Sequence, residues 1–271
     1  MQQTSIMSND NFSYDPSCHP NNLILCISHD QLGIAAIDLN GKKIQQIGYR
    51  PFDLYNSDLL SDLFQEGLVD PNSIKRLRVA FMLNDWCWTP ASLTKDKNQA
   101  LQWIDPLWPE RIGHAWIADS NATADATAWV RVPIHLLDQL KKISSDLTFK
   151  HASFFNPLPS SSTCQLSIVR IASTCCFSVW KEGRFLYGQP HTIESTDDLT
   201  FVLSLLREKY SLQPEQMGLD LSGQWPLDSE WMDLLQKHFP TIQGRDIHWT
   251  DIEAGLPPHW FTPLEDIFTC E

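Results

Sequence analysis

The sequence predicts an α/β protein made of two copies of a βββαβαβ unit, the first copy carrying an insertion. Three observations predict it. Strand-like runs come in threes at residues 22–29, 32–39 and 42–49 and again at 165–172, 174–181 and 184–190. Each trio is followed by a helix-periodic segment, a turn at a proline and an apolar run. The turn glycines Gly41 and Gly183 and the turn prolines Pro71 and Pro214 recur at offsets of 142 and 143 residues, so order and spacing repeat although few residues match.

In chain order, the first trio is rich in Ile and Leu, and Asn40-Gly41 suits a tight hairpin turn between its last two strands. Ser57 opens the amphipathic run SDLLSDLFQEGL, with Leu59, Leu60, Leu63 and Phe64 on one face. Asp70-Pro71 turns the chain into RLRVAFML, a buried strand. Residues 84–130 read as an insertion, with a helix near 95–104 and strands in GHAWIA and ATAWVRV. A helix at 134–144 and the extended LTFKHASF complete the first unit. The Pro- and Ser-rich NPLPSSST marks a linker, placed at 158–163. The second unit has its helix in DLTFVLSLLREKY, a strand in MGLDLS, a helix at 227–238 and a last strand near 241–249. The expected domains are therefore a flexible arm, 1–21; a first half, 22–157; the linker; and a second half with an apolar tail, 164–271.

Composition narrows the function classes. The net charge of −13 repels phosphate backbones, and no basic patch offsets it, so nucleic-acid binding is not expected. The polar N-terminal residues carry no secretory signal pattern, and no apolar window is long enough to span a bilayer; the expected location is cytoplasmic. Seven cysteines without a CxxC read as reduced thiols, and Cys175 and Cys176, adjacent on a strand, point to opposite faces.

The stretches LILCISHDQLGIAAIDLNGK, CFSVWKEGRFLYGQPHTIESTDDLTFVLSLLREKYSLQPEQMGLDLSG and HWFTPLEDIFTCE resemble a bacterial family catalogued only as domain of unknown function 3822. The repeated βββαβαβ unit itself resembles the actin-like, ribonuclease-H-like architecture of actin, sugar kinases, heat-shock chaperones and pilus-assembly ATPases. That resemblance implies a nucleotide site in which each half contributes a hairpin bearing Asp-x-Gly. The aspartate would hold hydrated magnesium, and the glycine would let backbone N–H groups reach the phosphates. Counting back from Gly41 puts Ser28 at the first aspartate position and Asp30 at the glycine, with His29 between and Gln31 after. Counting back from Gly183 puts Arg170 and Ala172 at the second pair. Of the Gly-Gly that passes the adenosine, Gly223 remains and Gln224 follows. The expectation is a degenerate site, no cofactor and no metal, in a non-catalytic scaffold or protein-interaction module.

The alternative is a divergent ATP-binding protein or ATPase, in which Ser28, Asp30, Gln31, Arg170, Ser173, Thr174, Gly223 and Gln224 would line the site. A ribonuclease-H-type nuclease needs converging carboxylates; Asp30, Asp38 and Asp85 lie near strand ends, but Ser28 holds the leading position.

Six of the eleven tryptophans fall between residues 86 and 129. Tryptophan suits both small cores and interfaces. Trp86, Trp88, Trp103 and Trp108 are the interaction candidates of the insertion, and Trp260 and Phe261 those of the tail, with an unidentified protein as partner. An interface role requires at least one of the first four to be exposed. The tail itself is expected to dock on the second half.

Overall fold

The computed structural model describes residues 12–14, 20–38, 43–56, 58–64, 70–93, 96–109, 111–121, 123–155, 164–213, 217–226, 229–245 and 257–269. The Asn40-Gly41 turn, the linker and Pro214 lie outside the described residues.

The first sheet contains β1 (Phe12–Tyr14), β2 (Asn22–Ile27), β3 (Gln31–Asp38), β4 (Lys43–Pro51), β5 (Arg76–Phe81) and β9 (Asp146–His151), in the order β1-β4-β3-β2-β5-β9. β2, β3 and β4 form an antiparallel meander, while β5 and β9 add parallel to β2. The second sheet contains β10 (Cys164–Ile171), β11 (Thr174–Lys181), β12 (Arg184–Thr192), β13 (Met217–Gly223) and β14 (Thr241–Gly244). Its order, β12-β11-β10-β13-β14, repeats that of the first sheet without β1.

Strand alternation divides the core. On β2, Leu23, Leu25 and Ile27 face the helices α1 (Leu59–Phe64) and α3 (Ile134–Ile143), while Ile24 and Cys26 face the second sheet. On β11, Cys175 and Phe177 join the cluster with α4 (Thr196–Tyr210) and α5 (Glu230–His238), while Cys176 joins the cluster shared by both sheets. The shared cluster is completed by Phe261, Leu264 and Ile267 of the C-terminal segment, which ends in α6 (Thr262–Thr269). Helix α4 begins with a capping box, Ser195 with Asp198, and ends at Ser211 in the left-handed region, so its boundaries are locally encoded.

Three expectations need correction. Residues 12–14 of the supposed arm form β1, paired antiparallel with β4; this edge pairing is made by backbone groups, which leave little trace in side-chain pattern. The insertion has three strands instead of two: β6 (Trp86–Pro90), β7 (His114–Asn121) and β8 (Ala126–Pro133), in the order β6-β8-β7, with α2 (Lys97–Ile104) packed on them. β6 is only five residues long, with Trp86 and Trp88 on one face and Cys87 and Thr89 on the other, and it ends in Pro90, so it carries little strand signal.

The tail is the third. It docks on both sheets: the Tyr49 hydroxyl donates to the Trp260 carbonyl at 2.8 Å, the Tyr49 ring stacks on Phe261 at 5.7 Å, Arg78 donates to the Phe268 carbonyl, and Thr262 accepts from the Gly223 N–H of the second sheet. Gly33 permits this approach, because a Cβ there would lie 2.6 Å from the Tyr49 ring and 3.3 Å from Leu264. Among the described residues no helix is long and apolar enough to cross a membrane.

Candidate functional site: two hairpin tips and the strand end between them

The β2–β3 and β10–β11 hairpins bring their tips together. In the first, the Ser28 N–H donates to the Gln31 carbonyl at 3.0 Å, which makes His29-Asp30 the two tip residues. In the second, Ile171 pairs with Thr174, so the tip is Ala172-Ser173, with Ala172 in the left-handed region at φ 50°. Measured from the tips, Ser28 corresponds to Ile171 and not to Arg170. Hairpin register corrects the count made from Gly183 by one residue, and Ile171, fully buried, offers no carboxylate either.

The polar groups of the first tip are satisfied locally. The Ser28 hydroxyl donates to Asp30 Oδ1 at 2.9 Å and accepts from the Gln31 N–H at 3.0 Å. The tip carbonyls of His29 and Asp30 accept from Leu54 and Phe52, which anchors the turn to the chain after β4. His29 Nε2 accepts from the Asn84 N–H at 3.4 Å, and burial holds the imidazole pKa below its ordinary value, against the pull of Asp85 and Asp30. Gln31 and Ser28 are buried, whereas Asp30 is exposed at the mouth.

The second tip is closed by the strand end beside it. Gln224 Oε1 accepts from the Ala172 N–H at 2.6 Å, and the Gln224 N–H donates to the Arg170 carbonyl at 2.9 Å. Gly223, at φ 90°, makes this crossing possible: a Cβ there would sit 2.1 Å from the Arg170 oxygen. The Gly223 N–H donates to Thr262 Oγ1 at 3.0 Å, so the start of α6 occupies the other side of the strand end. The two tips are joined by the Ser173 hydroxyl, which donates to Asp30 Oδ2 at 3.2 Å. Thr174, buried, faces Thr192 in the β11–β12 ladder.

Arg170 folds back on its own tip and packs against two tryptophans. Its Nε donates to the Ala172 carbonyl at 3.1 Å, and its guanidinium lies 4.5 Å from the Trp231 ring centre and 5.3 Å from that of Trp225. Burial lowers its pKa, and Nη1 is buried without a hydrogen-bond partner. Among the described residues no three His, Cys, Asp or Glu side chains converge as a metal site requires. Asp38 lies at the end of β3 remote from the tip, and Asp85 is held by two arginines of the insertion.

No family model matches the chain, and no curated protein does. Solved structures do. A Bacteroides thetaiotaomicron protein described as having an actin-like ATPase fold and unknown function superposes with a TM-score of 0.73 at 14% identity, over 94% of this chain and 98% of that one. A PilM–PilN type IV pilus biogenesis complex matches with a TM-score of 0.53 at 14% identity, over 92% and 98%.

The chain has the actin-like ATPase fold. On this fold, the tips and the β13 end are the elements to which the resemblance assigns phosphate, magnesium and adenosine contacts. In this actin-like chain the Ala172 and Gly223 N–H groups and the Ser173 hydroxyl are all bonded to other parts of the protein. Sequence reading names these positions but not Thr262 or the contact that Gln224 makes with Ala172, because both act across more than 35 residues.

The tryptophans divide. Trp86 is core, 5% exposed and stacked on His151, and Phe261 is fully buried between the halves; neither can be reached by a partner. Trp108 and Trp260 are half-buried. Trp103 is 74% exposed and Trp88 37%. Around Trp103, Leu93 and Leu107 are also exposed, and a pocket of about 310 Å³ opens between Thr89, Leu93, Gln99 and Trp103.

Proposed function

We propose that this chain is a non-catalytic actin-like protein with a degenerate nucleotide site, and that it serves as a scaffold for a protein partner bound through the insertion. The observation that carries the first part is the self-bonding of the tips. Gln224 takes the Ala172 N–H, Thr262 takes the Gly223 N–H, and Asp30 holds Ser173 across the mouth. A triphosphate would have to break these bonds and face the Asp30 carboxylate where a backbone donor is needed. Trp103 with Leu93 and Leu107 supports the second part, since an interface anchor is exposed before binding and tryptophan is favoured in that role.

The PilM–PilN likeness adds an instance of this fold in a protein complex. The two halves, with boundaries at about 22–157 and 164–271, a cytoplasmic location and membership of the family of unknown function belong to the same reading.

Thermal denaturation with and without Mg-ATP tests the site. A ligand at about 100 times its Kd adds about 2.7 kcal/mol of stability, so binding cannot pass unseen. The expected result is no shift. The divergent ATP-binding reading has one observation in its favour, the unpartnered Arg170 Nη1. A saturable shift abolished by Arg170→Ala would establish it instead.

A further inference from the structure

The insertion holds a second pocket, of about 480 Å³, lined by Asp105, Trp108, Arg111, His114, Trp116 and Arg131. This size falls in the range of small-molecule sites. Two of its lining side chains are arginines, in a chain of net charge −13.

Arg131 reaches the pocket from β8 and is only 5% exposed. Nη1 donates to the Pro109 carbonyl at 2.7 Å and Nη2 to Asp85 Oδ2 at 3.0 Å, while the guanidinium lies against the Trp108 and Trp116 rings. Its Nε is buried without a partner. Arg111 donates from Nη1 to the same Asp85 oxygen at 2.6 Å and to the Tyr55 hydroxyl at 3.3 Å. Two guanidiniums therefore share one carboxylate oxygen, which leaves N–H groups of the half-exposed Arg111 for an incoming acceptor. His114 Nδ1 donates to the Ile112 carbonyl at 3.2 Å, so in the neutral ring Nε2 is an acceptor, and it too is buried without a partner. Asp105 Oδ1 accepts from Trp116 Nε1 at 2.9 Å, and its charge disfavours polyanions.

We propose that this pocket binds a small, singly charged oxyanion that also carries a hydroxyl. Its anionic oxygens accept from Arg111 and from Arg131 Nε–H, and its O–H donates to His114 Nε2. A phosphate monoanion and a 2-hydroxycarboxylate share this chemistry. The site lies in the insertion, apart from the hairpin tips, and its occupancy is independent of the partner-binding reading.

The full chain is titrated with sodium phosphate or sodium lactate at neutral pH and constant ionic strength, with chloride as control. Indole N–H resonances and the arginine Nε–H resonances are followed by NMR. The expected result is a saturable shift at Trp108, Trp116 and Arg131, with the exposed Trp103 unmoved, by one of the two anions. Saturation by phosphate alone assigns a phosphoryl ligand, and saturation by lactate alone a hydroxy acid. Arg111→Gln and His114→Phe alter side chains at the pocket rim, and each is expected to weaken binding about tenfold, as for loss of one charge-assisted or buried hydrogen bond. Shifts that stay linear and match chloride for both anions, or affinities unchanged in both variants, would overturn the proposal.

Discussion

The Trp86 ring lies flat on the His151 ring, with centroids 4.0 Å apart and planes 14° from parallel. This contact joins the first strand of the insertion to the last strand of the first sheet. The tautomer of the histidine is set by its other neighbour, Ser153. Nδ1 accepts from the Ser153 N–H at 3.2 Å, so the ring proton sits on Nε2, which is buried without a partner. Burial holds the His151 pKa down at about 3.

Acid sensitivity follows from that depressed value. The unfolded chain takes up the proton near pH 6.5. Between about 6.5 and 3 the unfolded state therefore binds more protons, and stability falls as pH is lowered, by up to about 1.4 kcal/mol per pH unit. Asp119, which accepts from the His151 N–H, and Asp266 both have pKa values raised by burial, the latter to about 6, and each offsets part of this loss as it takes up its proton. His151→Asn keeps an acceptor for Ser153 and removes the titration. Urea denaturation at pH 7, 6 and 5 should give a steeper loss for the parent chain than for the variant.

The two tryptophans of the insertion should respond oppositely to truncation. Trp86→Ala empties a core aromatic site and unseats His151, at about 3–5 kcal/mol. Trp103→Ala removes an exposed ring and should stay within about 0.5 kcal/mol. Equal losses in chemical denaturation would mean that Trp103 is part of a core, and the partner-binding face would lose its anchor.

Gly223→Ala tests the closed strand end. The φ of 90° disfavours any side chain, and the added Cβ would meet the Arg170 carbonyl. A loss of at least about 2 kcal/mol is expected, larger than for glycine to alanine at a permissive site. Hydrogen exchange of the Gln224 N–H, which is bonded to that carbonyl, should accelerate in the same variant.

Arg245 locks the C-terminal helix to the second sheet. It bonds Asp220, which is fully buried on β13, and Asp266 on α6. Its two carboxylate partners raise its pKa against burial, so it stays charged. Arg245→Met leaves both carboxylates uncompensated and should cost about 3–5 kcal/mol. Adding Asp220→Asn should recover part of that loss, and no recovery would show that the packing of Arg245, not its charge, holds the helix.

What could be read from the chain is what is local. Apolar runs such as LILCI and CCFSVW marked strands, helical periodicity marked DLTFVLSLLREKY, and the order of elements read along the chain matches the strand orders of the two sheets. Those signals depend on neighbours a few residues away, where backbone geometry alone decides which side chains meet. Tertiary structure decided the rest. β1 found its place through edge hydrogen bonds, and the tail packs between the two sheets, where Gly33 leaves room for Tyr49 and Leu264. At the tips, Gln224 and Thr262 reached N–H groups that the bare motif leaves open. Trp86 and Trp103 are the same residue type 17 positions apart, yet one stacks in the core and the other faces solvent. Burial is fixed by what packs against a side chain, and those partners lie far off along the chain.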